Sequence, residues 1–135
     1  PMVNWNQLYD PNLVADICVG MVLHLDPDRL EAEGGTYTCD AAAKVVGQHF
    51  FVCLEAGASV TRWLPLYTNP GPGREQLSHE GSSGHPKWIN GAHYYHPAQV
   101  WVASRQAVAN AAARAHDKTR RGSRNMVGVA HVPVL

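Results

Sequence analysis

Residues 45–54 read Val-Val-Gly-Gln-His-Phe-Phe-Val-Cys-Leu, and every position after His49 is apolar. A strand that is apolar on both faces is covered by other parts of the chain on both sides, so it belongs in the middle of a sheet. We therefore predict a central strand over residues 44–54.

Other stretches around this strand alternate in polarity or are rich in β-branched residues. The clearest are residues 17–25, 60–67 and 99–103, and weaker ones are residues 74–77 and the segment around Trp88 and Ile89. Pro65 cannot donate a hydrogen bond to a neighbouring strand, so we expect it at a sheet edge or a bulge.

Loop and helix signals separate these strands. Residues 28–40 are predicted to form a long acidic loop, and the Pro- and Gly-rich residues 69–73 a rigid one. Ser104 is a typical N-cap for one alanine-rich helix over residues 105–116. The apolar residues 127–135 form either a last strand or a segment that docks on another subunit.

Five or six short strands with a single late helix predict a mainly β fold, a small, curled antiparallel barrel. Helices do not separate the strands, which excludes a parallel α/β sheet. A chain of 135 residues is enough for one domain, which we expect over residues 2–116. A basic linker and an apolar C-terminal segment are expected over residues 117–135.

The charges are unevenly distributed, although the formal net charge is zero. Residues 1–100 carry five Lys and Arg against ten Asp and Glu, and residues 101–135 carry six against one. A basic end can bind nucleic acid or an acidic partner, or it can simply neutralise the acidic body.

Cys18, Cys39 and Cys53 are an odd number and match neither a disulfide framework nor a zinc-site spacing. We expect all three to be reduced and the protein to be cytoplasmic. The polar, acidic first ten residues differ in composition from a secretory signal. No apolar run has the roughly 18–20 residues that a membrane span requires, so we expect no membrane partner.

The order of these elements resembles the MazF/PemK family of toxins, whose SH3-like barrel is also found in CcdB. The features that carry the resemblance are Gly20-Met21-Val22 in the first strand, a long loop, the strand His49–Leu54, a strand that ends in Pro65-Leu66-Tyr67-Thr68, and a late strand that leads into the helix. The resemblance covers roughly residues 17–115. It implies an SH3-like barrel that forms a homodimer.

The resemblance also implies a toxin–antitoxin endoribonuclease that cuts single-stranded RNA without a metal or cofactor and has an antitoxin as its protein partner. Thr68 stands at the place of the family's catalytic Thr. The family's catalytic Arg is replaced here by Gln48 and His49, and His49 is the candidate substitute as a general acid or base. A His at the start of an apolar strand is also a common structural residue.

Candidate binding residues are cations that can contact phosphates and rings that can stack on bases. They are Arg62, Arg74, Tyr94, Tyr95, His96, Arg120 and Arg121. We expect residues 94–96 to be an exposed recognition edge and the tryptophans to fill the core. The basic residues around Arg120 are either a phosphate-binding tail or a solvated extension.

Four histidines lie within eighteen residues and, with Glu80, could be metal ligands: His79, His85, His93 and His96. Gly and Pro residues make this stretch a loop, and no further ligand completes a set at a known spacing. We therefore predict no metal site.

Two functions follow from the sequence. The first is the ribonuclease described above. The alternative is a non-catalytic binding module of the same fold that recognises a protein or nucleic acid through residues 94–96 and the basic tail. The missing Arg favours the binding module, whereas Thr68 with Pro65 favours the ribonuclease.

Overall fold

The structure is a computed structural model, and it describes residues 12–114 and 124–135. Its strands are β1 (Met21–Leu25), β2 (Thr36–Tyr37), β3 (His49–Ala56), β4 (Val60–Pro65), β5 (Glu75–Gln76), β6 (Tyr94–Tyr95), β7 (Trp101–Ser104) and β8 (Asn125–Met126). Its α-helices are α1 (Leu13–Asp16), α2 (Pro27–Ala32), α3 (Pro86–Ile89) and α4 (Arg105–Arg114), and 3₁₀ turns lie at Ala41–Ala43 and Val129–His131. The fold is mainly β, as the strand pattern predicts.

Six strands form one antiparallel sheet in the order β2-β7-β4-β3-β1-β8, and β5 pairs with β6 in a separate two-stranded sheet. β3 is a central strand, as predicted, because Val52 pairs with Val22 of β1 and with Leu64 of β4, but it begins at His49 rather than at residue 44. The outer strands β2 and β8 are two residues long and, in the described part of the chain, do not pair with each other. The sheet is therefore open there, and the predicted closure into a barrel is not seen.

Alternate residues of the central strands enter two separate cores, one on each face of the sheet. On one face, Phe51 and Trp63 are buried against α1 and α4. On the other face, Val52 and Leu64 are buried together with Trp88. Both faces are covered, which explains why the second half of the stretch 45–54 has no polar positions. The predicted burial of the tryptophans holds for these two and for the third described one.

The structure contains more helix than the sequence predicts. Two of the additional helices, α2 and α3, begin with the same kind of capping side chain. Asp26 accepts hydrogen bonds from two backbone N–H groups of the following turn, and Pro27 occupies the first helical position. As a result, α2 occupies the first part of the predicted acidic loop. His85 caps α3 in the same way ahead of Pro86, where a strand around Trp88 is predicted. A capping side chain followed by Pro starts a helix, although each Pro alone resembles a turn signal. The prediction of a single helix is therefore wrong.

Two predictions about β4 and α4 have different outcomes. The late helix is confirmed: the hydroxyl of Ser104 accepts a hydrogen bond from the N–H of Ala107 (3.1 Å), and the helix runs to Arg114. The prediction that Pro65 lies at a sheet edge or a bulge holds only locally. β4 lies between β3 and β7, but its pairing with β7 ends at Trp63, so Pro65 is paired with Phe51 of β3 alone. Pro65 is the last residue of the strand, where the next residue, Leu66, takes over the hydrogen bonding with its own N–H.

The start of the C-terminal segment pairs within the chain. Met126 pairs with Met21 of β1 on one side and with Ser83 on the other. Asn125 is buried, and its side-chain oxygen accepts a hydrogen bond from the N–H of His85 (2.8 Å). Residues 127–135 contain a 3₁₀ turn at Val129–His131 and no strand, so the predicted strand is wrong for this range and its docking on another subunit stays a prediction. No helix among the described residues is long and apolar enough to cross a membrane.

Edge-to-face contacts between aromatic rings attach the segment between β5 and β6 to the sheet. Phe50 of β3 lies edge-on to Trp88, with 5.6 Å between the ring centroids, and edge-on to His93 at 5.7 Å. Nε2 of His79 and Nδ1 of His93 are 2.8 Å apart and share a hydrogen bond. Burial lowers the pKa of His93 to about 4 and also lowers the pKa of His79. Both imidazoles are therefore neutral near neutral pH, and the attachment is made by uncharged rings.

We expect the free energy of unfolding to fall as the pH is lowered from about 6.5 to about 4. In this range His93 stays neutral in the folded protein but is protonated in the unfolded chain, where the pKa of a histidine is about 6.5. Each pH unit then lowers the stability by up to about 1.4 kcal/mol. Urea unfolding at a series of pH values measures this slope.

A matched pair of variants identifies the group responsible. His93→Gln removes the buried ring and should make the slope shallower, whereas His131→Gln changes a partly exposed ring near Glu80 and should keep it. A wild-type stability that does not change over this pH range would contradict a buried, neutral His93.

Candidate functional site

A pocket of about 480 Å³ opens beside the end of β4, between residues 38–43, 67–74 and 96–99. Its polar lining residues are Thr38, Cys39, Asp40, Tyr67, Arg74, His96 and Gln99. These segments are far apart in the sequence, and they meet because β2, β7 and β4 are neighbours in the sheet. A concave site with several converging polar groups is typical of a ligand-binding site.

Gln99 lines the pocket although only 3% of its surface is exposed. Its Oε1 accepts hydrogen bonds from the backbone N–H of Val45 (2.9 Å) and from Nε1–H of Trp101 (3.0 Å). Its Nε2 donates to the hydroxyl oxygen of Tyr67 (2.8 Å) and to the carbonyl oxygen of Ala43 (3.4 Å). Because an indole and a backbone N–H can only donate, the amide of Gln99 has one possible orientation.

The guanidinium of Arg74 lies over the ring of Tyr67, 3.7 Å from its centroid, which is a cation–π contact. Nη1 of Arg74 donates to the carbonyl oxygen of Asn69 (3.1 Å). The Pro–Gly loop allows this position, since a Cβ on Gly71 would lie 3.2 Å from Cδ of Arg74. Within the described residues the other guanidinium N–H groups have no protein acceptor, so they are free to bind a ligand.

His96 contributes a second donor to the pocket. The N–H of Ala98 donates to Nδ1 of His96 (3.1 Å), which leaves the ring proton of the neutral imidazole on Nε2. Gly73 has a φ of +74° and packs on this ring, because a Cβ there would lie 2.5 Å from Nε2. The loop therefore fixes both Arg74 and His96.

The pocket combines donors suited to an oxyanion. Arg74 supplies a permanent positive charge, and charge-assisted hydrogen bonds from Arg to phosphate are among the stronger ones in proteins. Asp40 is the carboxylate among the lining residues. Burial raises the pKa of Cys39, so this side chain stays a thiol and is a weak nucleophile.

Both predicted catalytic residues lie next to this pocket. The ring of His49 is 5.4 Å from that of Tyr67, centroid to centroid. Its Nδ1 is 2.9 Å from the carbonyl oxygen of Leu66, and its Nε2 is 3.1 Å from that of Val46, so the ring fastens the start of β3 to its surroundings. Thr68 is exposed and directly follows Tyr67. Their catalytic roles stay predictions.

The predicted binding residues do not form one group. Arg74 and His96 line the pocket, as described. Arg62 instead forms an ion pair with Glu55, with 3.3 Å between Nη1 and Oε2, near the other end of β4. Arg120 and Arg121 lie outside the described residues.

The prediction that residues 94–96 form an exposed edge is wrong about their exposure, because all three are half-buried, and their role in recognition stays a prediction. Tyr94 and Tyr95 form β6 and are half-buried, since the backbone of Tyr94 pairs with that of Tyr67. Tyr95 packs against the second core, and its hydroxyl donates to Glu75 (2.8 Å). Tyr94 and Tyr95 therefore belong to a short strand rather than to a loop.

Five polar residues of the pocket are missing from the sequence-based candidates: Thr38, Cys39, Asp40, Tyr67 and Gln99. Tyr67 is part of the motif that carries the family resemblance, but the motif directs attention to Thr68. Gln99 is a polar residue at the start of an otherwise apolar strand, and such a residue is buried only where its hydrogen bonds are satisfied. That mismatch of polarity is the signal that could have identified it.

No group of three or more His, Cys, Asp or Glu side chains in the described segments is placed to hold a metal ion. No protein-family model, no curated protein and no solved structure matches this chain.

Two glycine variants test the role of the loop in holding His96. Gly73 and Gly47 both have positive φ (+74° and +77°), but a Cβ on Gly47 would meet nothing within 4 Å. Gly47→Ala should therefore cost only the backbone strain of roughly 1–2 kcal/mol. Gly73→Ala should cost more and should also shift the imidazole NMR signals of His96. Equal losses of unfolding free energy, with unchanged His96 signals, would show that the loop does not hold this ring.

Proposed function

We propose that this protein is an endoribonuclease of the MazF/PemK type that binds a phosphodiester of single-stranded RNA in the pocket beside β4. The observation that carries the proposal is the guanidinium of Arg74, stacked on Tyr67 at 3.7 Å with N–H groups facing no protein acceptor in the described chain. A phosphate oxygen is the acceptor that such a group binds best.

The position of the pocket supports the same proposal. The toxin-like motif Pro65-Leu66-Tyr67-Thr68 ends at the pocket, and residues 38–43, which follow β2, form the opposite wall. The resemblance places the catalytic residues of the family at the end of this strand. On this proposal the sheet is an opened relative of the SH3-like barrel, and the protein acts in the cytoplasm as a homodimer under the control of an antitoxin.

The bound phosphodiester would be recognised by two donors of different kinds. The guanidinium of Arg74 supplies charge, and Nε2–H of His96 supplies a neutral donor. Asp40 places one negative charge in the same pocket. This charge repels the two charges of a terminal phosphate more strongly than the single charge of a phosphodiester, so the pocket favours the phosphodiester.

One observation favours the second candidate function, a binding module without turnover. Both ring nitrogens of His49 face backbone carbonyl oxygens, at 2.9 and 3.1 Å, so this ring is engaged where the family has its catalytic Arg. A protein that keeps Arg74 but lacks a working acid and base would bind RNA, or a partner with a similarly placed anion, and release it unchanged.

Arg74→Ala tests the pocket as the RNA site. Losing one charge-assisted contact costs about 1.5–3 kcal/mol, so we expect the affinity for labelled single-stranded RNA to fall roughly 10- to 100-fold. The slope of log K against log salt should also become shallower by about 0.7. Cleavage of the same RNA, followed over time on a gel, should be lost.

Lys87→Ala is the matched control, because Lys87 is an exposed cation on α3 away from the pocket lining. It should bind and cleave like the wild type. If Arg74→Ala and Lys87→Ala behave alike, the RNA does not use this pocket. If the wild type binds RNA through Arg74 without cutting it, the binding module is the correct function.

A further inference from the structure

We infer that the hydroxyl of Tyr67 is the proton donor of the cleavage reaction and that Gln99 is the residue that positions it. This inference rests on the proposed function, since it assigns a role within the same pocket. It concerns a residue beside Thr68, the position that the family resemblance points to.

The amide of Gln99 fixes the direction in which the hydroxyl of Tyr67 can donate. Two N–H groups that can only donate occupy its Oε1, at 2.9 and 3.0 Å, so its Nε2 has to face Tyr67. Nε2 then donates to the phenolic oxygen at 2.8 Å. An amide nitrogen has no lone pair to offer, so Tyr67 is the acceptor in this bond and its own proton points elsewhere.

The free proton of Tyr67 is therefore available to the pocket. Among the hydrogen bonds of the described residues, the hydroxyl of Tyr67 takes part in none as a donor, although Tyr67 lines the cavity. The guanidinium of Arg74 lies 3.7 Å from the centroid of the same ring, so a cation is placed beside this donor. A donor with a fixed direction and a neighbouring cation are what a general acid requires.

Groups of the pocket and the substrate make and break the bonds of the reaction, and water completes the proton balance. The 2′-oxygen of the ribose forms a bond to phosphorus, and its proton passes to the carboxylate of Asp40. The bond between phosphorus and the 5′-oxygen breaks, and that oxygen takes the proton of Tyr67. The products are a 2′,3′-cyclic phosphate and a 5′-hydroxyl, and water returns the proton from Asp40 to the phenolate.

Tyr67→Phe separates this role from binding, because it keeps the ring under Arg74 and removes only the hydroxyl. We expect the cleavage rate kcat to fall by at least about 100-fold, the usual contribution of a general acid. Binding of a matched oligonucleotide with a 2′-deoxy nucleotide at the cleavage site, which lacks the attacking hydroxyl, should change by less than about threefold. Tyr37→Phe is the control, because Tyr37 packs on Trp101 and lies outside the pocket lining. This variant should cleave like the wild type.

Gln99→Glu tests the positioning role with a side chain of the same size. The new carboxylate can still accept from Val45 and Trp101, but its second oxygen accepts the proton of Tyr67 and turns it away from the pocket. We expect kcat to fall with binding retained, and to recover as the pH is lowered and the carboxyl regains a proton to donate. A purely structural role of Gln99 would give no such recovery.

The possible results separate the inference from the proposed function. Cleavage by Tyr67→Phe within about threefold of the wild type overturns the inference alone. Loss of binding to the 2′-deoxy oligonucleotide in Tyr67→Phe also overturns it, since the hydroxyl would then be a binding group. Absence of cleavage by the wild type overturns both.

Discussion

The buried amide of Gln99 connects three segments of the chain that lie far apart in the sequence. It bonds to Val45 ahead of β3, to Tyr67 after β4 and to Trp101 on β7, and all four of its polar contacts are to groups within the protein. A buried amide that lost any of these partners would be costly, so its bonds fix the relative positions of these segments. The pocket is the space that remains between them.

The sheet places this junction at one end of β4. The central strands are apolar on both faces, and each face is covered, by α1 and α4 on one side and by the segment around Trp88 on the other. With both faces used for packing, the ends of the strands and their loops are where polar chemistry is possible. The Pro–Gly loop after β4 then turns Arg74 back over Tyr67.

Local sequence patterns account for much of the fold and for little of the site. The apolar run after His49 predicts the central strand, and Ser104 predicts the start of the late helix. The helices that follow Asp26 and His85 are not predicted, because Pro27 and Pro86 at their first positions also resemble turn signals. Gln99 and Tyr67 are not predicted because they bond to each other across 32 residues and Gln99 bonds to Val45 across 54, and only the pairing of the strands brings these residues together.

The central claim is that a phosphodiester of RNA lies against Arg74 and Tyr67. A crystal structure of the protein with a short RNA that carries a 2′-deoxy nucleotide at the cleavage site tests it most directly. We expect one phosphate within hydrogen-bond distance of the guanidinium of Arg74, with its 5′-oxygen facing the hydroxyl of Tyr67 and Gln99 still donating to that hydroxyl. An oligonucleotide bound along the basic residues 118–124 or at Tyr94 and Tyr95, with this pocket empty, would contradict the account.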